Sequence, residues 1–409
     1  GMPDFSKYLS LELEQEPLVE GSLISFDQKT QEVVAMVGGA NFEKSEFNRS
    51  LQAARQTGSS FKAIVYAAAL DHSYTPSSIV MDAPIVFEEM GEDKEGQGEP
   101  KIWKPSNHSK SFGGDILFRN ALIRSLNVPT VKIIEDIGIP WSMNYARRLG
   151  IFSSLNNDFT LALGSSSVTL YEMTKVFSQF GRLGKRIRPL LVQKVESHQG
   201  QIIFSTLDLD KRFATETKVL DDEFETQRKA WLEKKAAEQA NNPAFVAGAT
   251  PSAGGTNGGV ETSGGANSSA PVIEAEAAQA KINKKPEMKI FFDDPDQLIR
   301  PTTAYIMTSM LRGVINEKGG TGGRARALGR DAAGKTGTTN GYYDAWFIGY
   351  TPQIATGVWV GFDSEKTLGQ GEVGGRAALP IWLEYMKAAH QDLPEENFAA
   401  PPGVVHVNI

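Results

Sequence analysis

The sequence predicts an α/β protein in which helices flank an antiparallel sheet. Three observations carry that prediction. Two runs near the C-terminus, YYDAWFIGYT (342–351) and IATGVWVGFD (354–363), are aromatic and β-branched and are separated only by Pro352-Gln353, the pattern of adjacent antiparallel strands. GSLISFDQKTQEVVAMVGG (21–39) reads as two β-rich runs around a polar turn, a hairpin. Between these ends lie Ala-rich and amphipathic stretches with helical spacing.

Taken in order, the hairpin is followed by a loop and then by FKAIVYAAALDHSY, a helix for which Ser59–Ser60 is the expected N-terminal cap. Residues 86–114 are polar and read as irregular. DILFRNALIRSLNVPTVKIIEDIG (115–138) predicts helix, break at SLNVP, helix, with Asp115 as cap of the first and Pro129 as first residue of the second. LYEMTKVFSQFGRLG (170–184) predicts an amphipathic helix ending in glycine. Composition changes after about 206: 221–240 is a charged helix candidate, and the Gly/Ser/Ala/Thr-rich 247–271 has almost nothing to bury and reads as flexible. Globular patterning resumes with helices over 300–320 and 378–390. The expected organisation is a lead-in (1–20), a first part of one domain (21–205), an insertion (206–296), the second part of that domain (297–392) and a tail (393–409).

The chain has 409 residues, long enough for a large core. Lys and Arg number 42 against 49 Asp and Glu, a net charge of −7, which argues against a nucleic-acid partner. The basic GRLGKRIRP (181–189) is too short to reverse that. The absence of cysteine removes disulfides, thiolate metal sites and cysteine nucleophiles together. No run approaches the roughly 18 apolar residues of a membrane span, and no signal peptide opens the chain. Gly1-Met2 reads as an expression scar, so a longer native N-terminal region is expected.

The segment GRDAAGKT (329–336) fits the phosphate-loop pattern GxxxxGK[ST]. A phosphate loop needs a buried strand before it and a helix directly behind the lysine, because the helix N-terminus meets the phosphates. Upstream here is GGTGGRARALGRD, which is no hydrophobic strand, and downstream the pattern is strand. The competing reading puts Lys335, Thr336, Gly337 and Thr338 on a strand beside a cleft. Lysine and threonine hydroxyls there can hold a terminal carboxylate, and glycine lets a ligand approach the backbone.

Two further motifs favour the second reading. GSSFK (58–62) contains Ser59-x-x-Lys62, whose members share a helix face, so a neutral lysine can take the serine proton. RSLNVP (124–129) contains Ser125-x-Asn127 in a helix break; the serine can relay a proton and the asparagine amide can bind a substrate amide. Taken singly, Ser59 reads as a cap, Lys62 as a surface charge and Asn127 as a turn residue. The ordered triple SxxK, SxN, KTGT is a known mechanistic set of serine acyl-transfer enzymes. There is no GxSxG, none of the five histidines sits near a catalytic-looking serine, and nothing calls for a metal or cofactor.

With these motifs the chain resembles the transpeptidase domain of class A penicillin-binding proteins, the bifunctional peptidoglycan synthases. The resemblance extends through IWKPSNHSKSFGGDILFRNALIRSLNVPTVKI (102–133), NYARRLGI (144–151), LALGSSSVTLYEM (161–173), GKTGTTNGYYDAWFIGYTP (334–352) and GGRAALPIW (374–382). Thr57 and Ala63 stand where the family usually has proline, so altered rigidity is expected there rather than lost chemistry. The resemblance implies a penicillin-binding, serine β-lactamase-like fold with a helical subdomain carrying Ser125 and Asn127. It implies Ser59 as nucleophile, Lys62 as base, Ser125 as proton relay, Asn127 as holder of the stem-peptide amide, and Lys335, Thr336 and Thr338 as carboxylate binders beside Gly337. Implied partners are peptidoglycan stem peptides and β-lactams. The implied location is the periplasmic side of the cell membrane, with a family glycosyltransferase domain and anchor missing from this sequence. A β-lactamase, a D,D-carboxypeptidase or a non-turnover β-lactam sensor would use the same residues. A class A β-lactamase would add an activating glutamate, for which Glu172 and Glu196 stand between the second and third motifs.

Overall fold

The computed structural model describes residues 17–89, 101–240, 292 and 294–405. Its centre is a five-stranded antiparallel sheet made of β1 (Glu20–Asp27), β2 (Val33–Val37), β3 (Ala333–Thr338), β4 (Asp344–Tyr350) and β5 (Ile354–Gly361), in the order β3-β4-β5-β1-β2. The hairpin and the two aromatic strands expected from sequence are all present. β1 pairs with β5 from Glu20↔Gly361 to Asp27↔Ile354, so the beginning and end of the domain are stitched side by side. That pairing leaves β3, the strand of the KTGT motif, as a sheet edge.

Alternation along β4 fills two cores. Trp346, Ile348 and Tyr350 join one apolar cluster, while Phe347 faces the other with Trp382, Leu383 and Met386. The first cluster is completed by α1 (Lys62–His72), α2 (Phe118–Ile123), α3 (Asn127–Ile137), α4 (Ile139–Arg148), α5 (Leu170–Gly181) and, after α6 (Ala214–Ala240), by α7 (Pro301–Asn316). The second is covered by α8 (Leu379–Ala389). α1 is apolar nearly all round because it is buried nearly all round, and its alanines let α3, α4 and α7 approach closely.

Several expectations change. α5 is not a surface amphipathic helix: Leu170 through Phe180 are all buried, and its polar side chains are matched one by one. Ser178 donates to Gln28 Oε1 (2.7 Å), Gln179 donates to Leu149 O (2.8 Å) and Lys175 pairs with Asp210. Its polar face is covered by other parts of the chain, which periodicity cannot reveal. Asp115 does not cap a helix; it lies in the strand Gly114–Leu117, which pairs with Ile79–Asp82, and α2 starts after Leu117. Pro129 is the third rather than the first residue of α3. The stretch read as irregular holds a ribbon of Phe87–Glu89 with Lys101–Trp103, and a second ribbon joins Leu190–Glu196 to Ile202–Asp208.

Lys218–Phe291 forms a unit of its own. Its described part is α6 from Lys218 onward, charged and largely exposed, with a Lys218–Asp222 pair at 2.5 Å one turn apart. The Gly/Ser/Ala-rich stretch 247–271 lies outside the described residues.

Candidate active site

The SxxK segment enters on a glycine with a left-handed backbone. Gly58 has φ +53° and donates to Gly164 O at 3.1 Å. Gly58–Ser60 forms a 3₁₀ turn and α1 begins at Lys62. A 3₁₀ turn repeats every three residues, so positions 59 and 62 lie one above the other. Ser59 caps nothing: no side chain caps this turn or α1, and the neighbouring Ser60 is buried with its hydroxyl donating to Thr57 O at 2.7 Å. Thr57, in a proline-like position of the family pattern, has φ −80°, and its hydroxyl reaches toward Gly164 O.

Lys62 is not a surface charge. It is fully buried, and Nζ donates to Ser125 O (2.8 Å), Leu126 O (3.1 Å) and Asn127 Oδ1 (2.6 Å). Ser125 sits in the gap between α2 and α3 with φ +57°, a conformation uncommon for a residue with a side chain and frequent at functional sites. That conformation presents two of its groups to the two lysines. The carbonyl accepts from Lys62, and the hydroxyl accepts from Lys335 Nζ at 2.8 Å. Asn127 spends one N–H on Ser106 O (2.9 Å) and one lone pair on Lys62. One N–H and one lone pair stay free for a ligand.

Lys335 lies in strand β3, not at a helix start, which excludes the phosphate-loop reading. Alternation along β3 sends Lys335 to Ser125, whereas Thr336 Oγ1 meets Thr321 Oγ1 at 2.7 Å. Thr338 Oγ1 accepts from Gly374 N at 3.0 Å. Gly337 faces the serine turn: a Cβ there would stand 2.5 Å from Thr57 O. From the other side, a Cβ on Gly58 would stand 2.4 Å from Thr338 O and 2.9 Å from Thr338 N. The backbones of the first and third motifs therefore abut. Trp346 clamps the same seam, with Nε1 donating to Gln56 O at 2.9 Å.

The structure thus brings Lys62, Ser125, Asn127 and Lys335 into one hydrogen-bonded cluster, with Ser59 on the turn directly before Lys62 and Thr338 against that turn. Sequence reasoning missed Ser106 and Asn107, which hold Asn127, and Thr321, the partner of Thr336. The first two lie in a segment that showed only turn composition, and Thr321 sits in a Gly-rich loop. None carried a local signal.

Two amines are buried here, and among the described residues neither forms an ion pair. Burial therefore dominates their protonation. It pulls Lys335 down to about 7. Burial also pulls Lys62 well below the ordinary lysine value, and the nearby charge of Lys335 pushes it further the same way. Both folded values are lowered, so the unfolded chain binds more protons above about pH 7 and stability rises from there toward the unfolded lysine value. Lys335→Met is expected to flatten that rise in urea titrations between neutral and alkaline pH. It is also expected to move the acid limb of Lys62-dependent acylation to higher pH, because the repelling charge is gone. A limb that stays put would show that Lys335 does not tune Lys62.

Glu172 and Glu196 have other occupations. Glu172 is fully buried in the capping box that starts α5, accepting from Thr169 N and from Phe152 N and Ser153 N (2.8 Å each), and from the hydroxyls of Ser153 and Thr169. Glu196 is exposed on its ribbon and pairs with Lys194.

The Penicillin binding protein transpeptidase domain model matches residues 21–249 and 278–383. Penicillin-binding protein 1A of Pseudomonas aeruginosa is 39% identical over 98% of this chain and 44% of its own length, and that of Neisseria lactamica is 32% identical over 96% and 39%. The chain therefore spans less than half the length of these relatives. The crystal structure of penicillin-binding protein 1A from Haemophilus influenzae superposes with a TM-score of 0.71 at 27% identity, covering 97% of this chain and 51% of that one. The PonA1 protein of Mycobacterium tuberculosis, solved with penicillin V, shares the fold at a TM-score of 0.62 and 21% identity, covering 95% of this chain and 83% of that one. The sheet with its edge KTGT strand, the buried SxxK lysine and the match over most of the chain lead to one conclusion: the chain belongs to the penicillin-binding protein transpeptidase domain family.

Proposed function

We propose that this chain is a serine D,D-transpeptidase that cross-links peptidoglycan stem peptides and is acylated by β-lactams at the same serine. The observation that carries the reading is the buried amine of Lys62, three residues after Ser59, held on the carbonyl of Ser125 while a second buried amine, Lys335, donates to the hydroxyl of that serine. Ser59 Oγ attacks the carbonyl between the two terminal D-alanines while its proton passes to Lys62. A neutral amine has two N–H groups and one lone pair, so the base form of Lys62 gives up one of its three acceptors and turns the lone pair toward Ser59. Charge developing on the carbonyl oxygen is met by the N–H groups of Ser59 and Thr338, whose backbones the tight Gly58–Thr338 approach supports. D-Ala leaves as the amine, protonated from Lys62 through Ser125. An amine of a second stem peptide then attacks the acyl-enzyme, forms the cross-link and returns Ser59.

Asn127 holds the stem-peptide amide with its free N–H and lone pair. Lys335, Thr336 and Thr338 bind the terminal carboxylate, and the absence of a side chain at Gly337 lets the peptide lie along the β3 edge. Transfer is favoured over β-lactamase-type hydrolysis because the oxygens of Glu172 are consumed by capping and Glu196 is a surface residue. On this reading the chain works on the periplasmic side of the cell membrane, in a longer membrane-anchored protein with an N-terminal glycosyltransferase domain, and residues 206–296 are an insertion without a catalytic part. Among the described residues no helix is long and apolar enough to cross a membrane.

The test is intact mass after incubation with a penicillin, followed by peptide mapping, and product analysis with a D-Ala-D-Ala donor peptide and an amine acceptor. One penicillin mass on the peptide containing Ser59, together with a joined donor–acceptor product, is expected. An adduct elsewhere, or none, overturns the nucleophile; hydrolysed donor alone reassigns the chain as a carboxypeptidase.

A further inference from the structure

We propose that Asn107 is a positioning residue of this site, acting as one half of a buried pair with Asp82 that sets where Asn127 presents its amide. The proposal rests on the serine–lysine reading above and deepens it.

Asn127 is the first residue of α3, and the residue before it, Leu126, offers no capping side chain. The opening N–H groups of a helix have no partner within the helix. Here the partner comes from twenty residues upstream: Asn107 Oδ1 accepts from Asn127 N (3.0 Å) and from Val128 N (3.2 Å). The other end of the same amide donates to Asp82 Oδ1 (2.7 Å) and to Ser111 O (3.0 Å). The remaining oxygen of Asp82 accepts from Gly113 N at 2.9 Å. Asn107 is 1% exposed and Asp82 2%.

This arrangement requires an asparagine. The position needs an acceptor for two N–H groups at one end and a donor to a carboxylate and a carbonyl at the other, which also assigns the orientation of the amide. Aspartate would keep the acceptor end but set a carboxylate against Asp82. Serine and threonine are too short to span both partners, and alanine leaves two helix N–H groups and a buried carboxylate oxygen without partners.

The consequence reaches the chemistry through Asn127. Asn107 holds the Asn127 backbone and the preceding Ser106 holds its side chain, Nδ2 donating to Ser106 O at 2.9 Å. With both ends restrained, Asn127 Oδ1 is directed at Lys62 Nζ, 2.6 Å away. A cap carried within α3 would satisfy the helix equally well. A cap on a separate segment, itself pinned to the Ile79–Asp82 strand, additionally fixes the start of α3 relative to the rest of the site.

The experiment compares wild type, Asn107→Asp and the reversed pair Asp82→Asn/Asn107→Asp by stopped-flow acylation with a fluorescent penicillin, separating the non-covalent dissociation constant from the first-order acylation step. Thermal melts run alongside. For Asn107→Asp the acylation step is expected to fall about tenfold or more, since a small displacement of a substrate-orienting group suffices for that. Its dissociation constant is expected to change less than about twofold. The reversed pair restores the amide–carboxylate bond and the total charge but sets a carboxylate oxygen against Ser111 O, so acylation is expected to recover by about threefold or more over Asn107→Asp without reaching wild type. Wild-type acylation in Asn107→Asp overturns the proposal, as do equal losses in binding and acylation. A reversed pair no faster than Asn107→Asp, or one that fails to fold, overturns it as well. A wild type that takes up no penicillin would instead remove the serine–lysine reading itself.

Discussion

Ser59→Ala is expected to take up no penicillin, and Lys62→Met to take it up about a thousandfold more slowly than wild type, the range for loss of a general base. The two substitutions fail for different reasons. Ser59 is half-buried on its turn and no helix uses it as a cap, so alanine removes the proposed nucleophile and is expected to leave the local backbone unchanged. Methionine at position 62 has nearly the length of lysine and no cost of burying a charge, but it takes the lysine donor from Ser125 O and Asn127 Oδ1, whereas Leu126 O keeps the Thr130 hydroxyl. Near-UV circular dichroism checks that the core survives. Ser60→Ala is the control for the adjacent hydroxyl. It loses one buried hydrogen bond, to Thr57 O, worth about 1 kcal/mol, and is expected to acylate normally. If Ser60→Ala lost the adduct and Ser59→Ala kept it, the nucleophile would have been assigned to the wrong serine.

Gly58→Ala is expected to lose about 2–4 kcal/mol of stability and a larger share of its acylation rate. Two effects add there. A Cβ at φ +53° is strained in itself, by about 1–2 kcal/mol. It would also stand 2.4 Å from Thr338 O, a backbone atom of a paired strand that has no rotamer to change. Relief requires the serine turn and β3 to separate, which moves Ser59 away from the Thr338 N–H that the proposed mechanism uses. Gly114→Ala isolates the first effect, because Gly114 has φ +70° and a Cβ there meets nothing within 4 Å. Gly337→Ala attacks the same seam from the strand, with its Cβ 2.5 Å from Thr57 O. Urea unfolding and penicillin acylation of the three variants separate strain from seam. Equal behaviour of Gly58→Ala and Gly114→Ala would show that the close approach carries no functional weight.

The α/β class, β1, β2, β4 and β5, α1 and α8 were legible because each is a local pattern: alternation or helical spacing over several consecutive residues. So were the residue types of the three motifs, since SxxK puts both members on one helical face whatever surrounds them. The ribbons at 79–82 with 114–117 and at 190–196 with 202–208 were not legible, because a short strand is defined by its partner and those partners lie elsewhere in the chain. α5 looked amphipathic because spacing reports which residues are polar and not what later covers them.

By itself, then, the sequence determined which chemical groups this protein carries, in what order, and on what kind of local element. Tertiary structure alone decided their state. Lys62 and Lys335 become candidate bases because the fold buries them against carbonyls, an amide oxygen and a hydroxyl and, among the described residues, pairs neither with a carboxylate. Burial of that kind is a sum over distant segments. The left-handed turn at Ser125, the cap that Asn107 lends to α3 and the contact of Thr336 with Thr321 were likewise settled by distant chain segments meeting in space. Hydrogen bonds and desolvation act across a few ångströms of space, whatever the separation along the chain.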